Sequence, residues 1–149
     1  MKNRIALALT LSFFGVASSA QALTLAEKKQ VKEWNDYLKD ESQSYVKSVK
    51  DKCGIDLPLT MDEKLVTVFM GKNANAASYC DSTREGISRM CEDETSKKEI
   101  IAKIKSISCK LGKGEESSYS LKNQVLTFTV GPDAGNLPDK VKAFLEKSL

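Results

Sequence analysis

The chain reads as an α+β protein. Helix-period segments dominate as far as Ile104, and period-two alternation runs from Ile107 to Val130, so helices and strands are segregated and not regularly interleaved. A last helical pattern follows the turn chemistry of Gly131-Pro132-Asp133-Ala134-Gly135-Asn136. The expected architecture is a long N-terminal helix and further helices on a small antiparallel three-stranded meander, with a C-terminal helix and disulfide stabilisation.

The first element is not part of that body. Lys2 and Arg4, an apolar run from Ile5 to Ala17, and Ala20-Gln21-Ala22 have the order of a secretory signal: a charged start, a short apolar core and a small-x-small cleavage site. Residues 1–22 are expected to be cleaved, leaving residues 23–149 as one α+β domain. The first cysteine is Cys53, so no lipid anchor forms at the cleavage site, and no later run is long enough to span a bilayer. The periplasm or the extracellular space is the expected location.

Thr24-Leu25-Ala26-Glu27 has the form of a capping box and starts the first helix. Val31, Trp34, Leu38, Tyr45 and Val49 continue one helical face to Gly54, which suits a left-handed C-terminal cap. Ile55, Leu57 and Leu59 alternate as a short strand, which Pro58 restricts to an edge or to an irregular extended piece. A second box, Thr60-Met61-Asp62-Glu63, opens a short helix or strand ending near Gly71. Ala76, Cys80, Ile87, Met90 and Cys91 share a helical face that Gly86 weakens, and Ser96-Lys97-Lys98-Glu99 is a third box. Ile107, Cys109 and Leu111, then Tyr119 and Leu121, then Leu126, Phe128 and Val130 give three strands, the last two joined by a tight turn at Asn123. Pro138 sits in the first turn of a helix that carries Val141, Phe144 and Leu145 inward.

Four cysteines allow three pairings. Cys80 and Cys91 lie about 16 Å apart on a continuous helix, far beyond the ~7 Å reach of a bridge. The chain turns back after Cys91, which favours Cys80–Cys109 and leaves Cys53–Cys91; a helix broken at Gly86 would reopen the other pairings. Spacings of 27, 11 and 18 residues contain no Cys-x-x-Cys, so neither a redox couple nor a zinc knuckle is suggested.

The formal charge of +3 falls to +1 once Lys2 and Arg4 leave, which disfavours nucleic acid or another polyanion as partner. Lys97, Lys98, Lys103, Lys105, Lys110 and Lys113 face only Glu99 in their stretch and form a candidate basic surface, to be weighed against a simple solvated face.

Histidine is absent, which removes Ser-His-Asp and Cys-His catalysis and His-based zinc sites. Carboxylates such as Asp36, Asp62 and Glu63, or a Ser44–Lys47 arrangement, are the surviving catalytic options, and each has a capping or solvation explanation. Trp34, Tyr37 and Tyr45 fit a binding stripe less well than a packed one. No residue pattern calls for a cofactor or metal, and none carries a family resemblance. The leading expectation is a non-enzymatic binding or interaction module whose partner is a protein or envelope component. The competing one is a small histidine-independent carboxylate hydrolase acting on cell-wall or extracellular polymer.

Overall fold

A computed structural model describes residues 22–40, 44–72, 74–113, 117–131 and 138–149, with Ser44 described by its backbone alone. The expected signal segment up to residue 21 and the turn at 132–137 lie outside these residues. The architecture is α+β, with six helices and a mixed four-stranded sheet.

Helix α1 (Leu25–Lys39) starts at the capping box read from sequence. Thr24 Oγ1 accepts from the Glu27 amide at 3.2 Å, and Glu27 Oε2 accepts from the Thr24 amide at 2.7 Å. The expected single long helix is instead two. Asp40 is extended, with ψ 109°, and the chain resumes as α2 (Ser44–Cys53), closed by Gly54 at φ 72°. Asp and Ser side chains compete for backbone partners and weaken helix at this junction. The break also lets two faces diverge: Val31, Trp34 and Leu38 enter one core cluster, Val49 and Cys53 the other.

Strand β1 (Leu59–Met61) begins later than the alternation suggested, and Thr60 lies within it instead of capping a helix. Asp62 Oδ1 accepts from the Lys64 amide at 3.0 Å, ahead of the short helix α3 (Leu65–Phe69) and a 3-10 turn to Lys72. Helix α4 (Ala76–Met90) is capped by Asn75 and passes unbroken through Gly86. Helix α5 (Glu94–Lys103) starts at Asp93, whose Oδ1 accepts from the Ser96 amide at 2.8 Å, so the box expected at Ser96 is displaced by an earlier cap.

Strands β2 (Ser106–Leu111), β3 (Ser118–Lys122) and β4 (Val125–Val130) do not form the antiparallel meander. The sheet order is β1-β2-β4-β3, with β1–β2 and β2–β4 parallel and only β3–β4 antiparallel. Alternation fixes which face a side chain takes, not which strand lies beside it. Leu126, Phe128 and Val130 are all fully buried, so β4 takes a central place, while the more polar β3 and three-residue β1 become edges. A two-residue turn, with Asn123 at φ 50° and Gln124 at φ 62°, makes that exchange.

Helix α6 (Pro138–Ser148) buries Val141 and Leu145, while Phe144 is half-buried beside Tyr119. All helical apolar faces meet one side of the sheet. Cys109, Phe128 and Val130 join Trp34 and Leu65 in one cluster; Ile107 and Leu126 join Ile87, Ile100, Ile104 and Val141 in the other. Two disulfides staple this body, Cys53–Cys91 with Cα atoms 5.2 Å apart and Cys80–Cys109 with 5.8 Å. The first ties the end of α2 to the end of α4; the second ties the start of α4 to β2.

Candidate binding groove

Helix α4 carries two charges on its buried side. Arg84 falls at the stripe position between Cys80 and Ile87, and Asp81 lies one turn earlier. Both are buried, 3% and 1% exposed. Arg84 Nη1 donates to Asp81 Oδ1 at 2.6 Å and to the Leu38 carbonyl at 3.3 Å, while Nε and Nη2 donate to the Leu57 carbonyl at 3.2 and 3.1 Å. Leu38 lies in the last turn of α1, where helix carbonyls lack intrahelical partners, so Arg84 completes that end. One of the five guanidinium N–H groups is left without a partner among the described residues.

Asp81 is held above the usual carboxylate range because burial outweighs the stabilising guanidinium. Its Oδ2 has no hydrogen-bond partner among the described residues. Nearby phenols follow the same field: Tyr37 is raised by burial and then by Asp81, and Tyr45 is raised first by its hydrogen bond to Glu85 and then by burial. Glu85 in turn pairs with Arg89.

Arg84 lines a groove of about 470 Å³ whose walls are Leu38, Val46, Leu57, Pro58 and Leu59, with Lys39, Asp56 and Thr60 at its polar margin. The groove exists because α1 and α2 part at Asp40 and leave space over the extended chain that precedes β1. Apolar walls around a few fixed polar groups are the usual form of a ligand site. The guanidinium of Arg84 at this site is already paired with Asp81.

The carboxylates weighed from sequence lie elsewhere. Asp36 and Glu63 line a common hollow of about 470 Å³ along α1, but Lys28, Lys32 and Lys39 share it. Asp62 is spent on its turn, and the Ser44 side chain lies outside the described residues. A second acid-bearing hollow contains Glu92 and Asp93, both held below the usual carboxylate range, Glu92 by Lys52 and Asp93 by the Ser96 amide it caps. A general acid needs the opposite shift. Among the described residues no group of three metal-ligating side chains occurs. Trp34 packs in the core, as do parts of Tyr37.

Of the six lysines, Lys97, Lys98 and Lys103 lie on α5, and Lys105, Lys110 and Lys113 lie on or beside β2. Lys97 faces Glu94 at 3.9 Å, and Lys103 pairs with Glu99 at 2.8 Å and donates to the Leu149 carbonyl, while Lys98 stands on the same helix. Lys105 donates to the Ile101 carbonyl at 2.5 Å. Lys110 projects from β2 and Lys113 follows that strand. The sequence analysis singles out neither Asp81 nor Arg84; the available signal is a charged residue on an otherwise apolar helical stripe. No family model, no curated protein and no solved structure matches this chain.

Proposed function

We propose that this protein is an exported, non-enzymatic binding module of the periplasm or extracellular space, and that the groove over Arg84 receives an apolar segment of a protein or envelope partner. The observation that carries the reading is the groove itself: aliphatic walls over Arg84, whose charge is paired with the buried Asp81 behind it, with Lys39 and Asp56 at the margin. Arg84 is already paired with Asp81, so a second buried anion beside it would bear a desolvation penalty, and its remaining N–H favours a neutral acceptor such as a carbonyl. Two disulfides are compatible with an oxidising compartment, and no helix among the described residues is long and apolar enough to cross a membrane.

A photo-crosslinking side chain at Val46, compared with one at exposed Lys140, tests this in the producing cell. A discrete adduct from position 46 alone is expected, and Leu59→Asp should abolish it. Equal labelling from both positions would overturn the reading. So would hydrolysis of cell-wall glycan that disappears in Asp36→Asn or Glu63→Gln variants, which would establish the hydrolase instead.

A further inference from the structure

No helix among the described residues packs on the side of the sheet opposite the core, and this is unusual for its topology. Parallel strands are ordinarily covered on both faces, yet here three of four strands are parallel and only one face is packed. Val125, the one apolar side chain among the strand residues of the bare face, belongs to neither core cluster.

Strand register turns that face into a grid. Thr60, Ser108, Thr127 and Ser120 stand side by side across all four strands. Thr129 and Ser118 extend the pattern beside Lys110, and Ser106 lies in the row that ends at Lys122. Strand spacing of about 4.8 Å and a two-residue repeat of about 6.7 Å set the mesh. Lys110 and Lys122 occupy opposite corners, about 16 Å apart on that mesh. Both are exposed, neither makes an ion pair among the described residues, and none of the strand residues on this face is acidic. Asp62, just beyond β1, uses one carboxylate oxygen on the Lys64 amide.

We infer that this face docks a polysaccharide strand bearing well-spaced carboxylates. Hydroxyl rows supply both donors and acceptors to sugar hydroxyls, and the two corner lysines complement sparse negative charge. A protein partner would want buried aromatic or arginine anchors, and the face has none. A single-stranded nucleic acid would want aromatic stacking platforms, equally missing here. A second copy would set unpaired lysines against lysines. This face adjoins the groove at Thr60, and its Ser108, Thr127, Ser120, Lys110 and Lys122 lie outside the groove lining.

Isotope-labelled mature protein titrated with hyaluronan oligosaccharides, dextran and polyphosphate tests the inference by backbone amide shifts. Hyaluronan should shift the amides of Ser108, Thr127 and Ser120. Dextran should bind at least tenfold more weakly and polyphosphate should leave the row unmoved. Lys110→Gln with Lys122→Gln should weaken hyaluronan at least tenfold, and Ser108→Ala with Thr127→Ala should weaken it without any charge change. Val46→Asp, in the groove, should leave it unaltered, so failure of one site is distinguishable from failure of the other. Absence of shifts on this face, equal binding of polyphosphate, or shifts that depend on protein concentration would each overturn the proposal, the last in favour of self-association.

Discussion

Gly86 of α4 and Val141 of α6 touch almost backbone to backbone: a Cβ at Gly86 would fall 2.6 Å from the Val141 Cβ and 2.8 Å from the Pro138 carbonyl oxygen. Neither obstacle is the tip of a flexible side chain. The glycine that weakens α4 as an isolated helix is therefore what allows α6 to dock on it.

Gly86→Ala is expected to destabilise. Helix propensity alone would gain about 1 kcal/mol. Overpacking against a fixed neighbour costs about 1–3 kcal/mol, and here α6 must move as a unit because its backbone is in the way. Urea unfolding should show a lower midpoint, and Val141→Ala in the same chain should not restore it, because alanine keeps the Cβ that the new methyl would strike. A higher midpoint for Gly86→Ala alone would contradict the docking geometry.

Each disulfide closes a long loop, 38 residues for Cys53–Cys91 and 29 for Cys80–Cys109. In the chain-entropy model each contributes about 3.5–4 kcal/mol. Paired Cys→Ala variants should each lose roughly that amount, and removal of both should leave little folded protein at 37 °C, since the total stability of such a domain is about 5–15 kcal/mol. Non-reducing peptide mapping should find the two cross-linked pairs and no titratable thiol.

The turn at Asn123-Gln124 places a long side chain at φ 62°, where glycine is the easier residue. Gln124 is retained against that strain by its own bonds, Nε2 donating to the Ala102 carbonyl at 3.2 Å and its carbonyl accepting from the Lys105 amide at 2.8 Å. Gln124→Gly keeps the backbone acceptor and loses only the side-chain bond. A change in stability within about 1 kcal/mol is expected, positive where strain relief of about 1 kcal/mol exceeds the lost exposed hydrogen bond. A loss well beyond that range in thermal unfolding would show that the side chain, not the turn, fixes the β3–β4 register.

Local chemistry was legible and neighbourhood was not. Thr24-x-x-Glu27, Gly54 and Asn123 are short-range signals, and each takes the backbone role its residue type suggests. Strands β2, β3 and β4 were placed as segments, because Ile107, Cys109, Leu126 and Phe128 alternate inward, while β1 lies later than the alternation at Ile55 to Leu59 suggested. Which strand lies next to which depended on β4 being the most buried, a competition among strands that no single segment displays. The groove was harder still. It arises from a helix break at Asp40 and from Arg84 reaching two carbonyls 27 and 46 residues away, contacts that periodicity cannot report.

Tyr119 is stacked on Phe128, ring centroids 5.1 Å apart, and burial pushes its phenol up to about 12. A raised folded-state value means that neutral Tyr119 favours the fold. That contribution is complete below the ordinary value of 10.0 and is lost as pH rises through about 12. An ultraviolet absorbance titration should show one tyrosine ionising only near the onset of alkaline unfolding, and Tyr119→Phe should remove that step. Ionisation of all tyrosines at the ordinary value in the folded protein would refute the burial.

The Asp81–Arg84 pair permits a sharper test, because its two halves respond differently. Replacing Arg84 with Met leaves Asp81 and the Leu38 and Leu57 carbonyls without their donor, a loss of about 3–5 kcal/mol. Asp81→Leu added to Arg84→Met should recover part of it, since an apolar pair of similar volume avoids the buried charge. pH separates the pair from every surface carboxylate. Burial raises Asp81 above its ordinary value of 3.8, so the folded state binds this proton more tightly than the unfolded chain does. Stability from Asp81 is therefore fully present below 3.8 and is lost as pH rises through the raised folded value. Glu27, Glu92 and Asp93 are shifted downward and work in the opposite direction, losing their contribution as pH falls. Subtracting the stability of Asp81→Asn from that of the parent protein at each pH cancels those shared terms. The difference should move in favour of the parent as the solution is acidified through the Asp81 window. A difference that moves the other way would mean that Arg84, not burial, dominates the carboxylate, and that the floor of the groove carries a fully ionised pair.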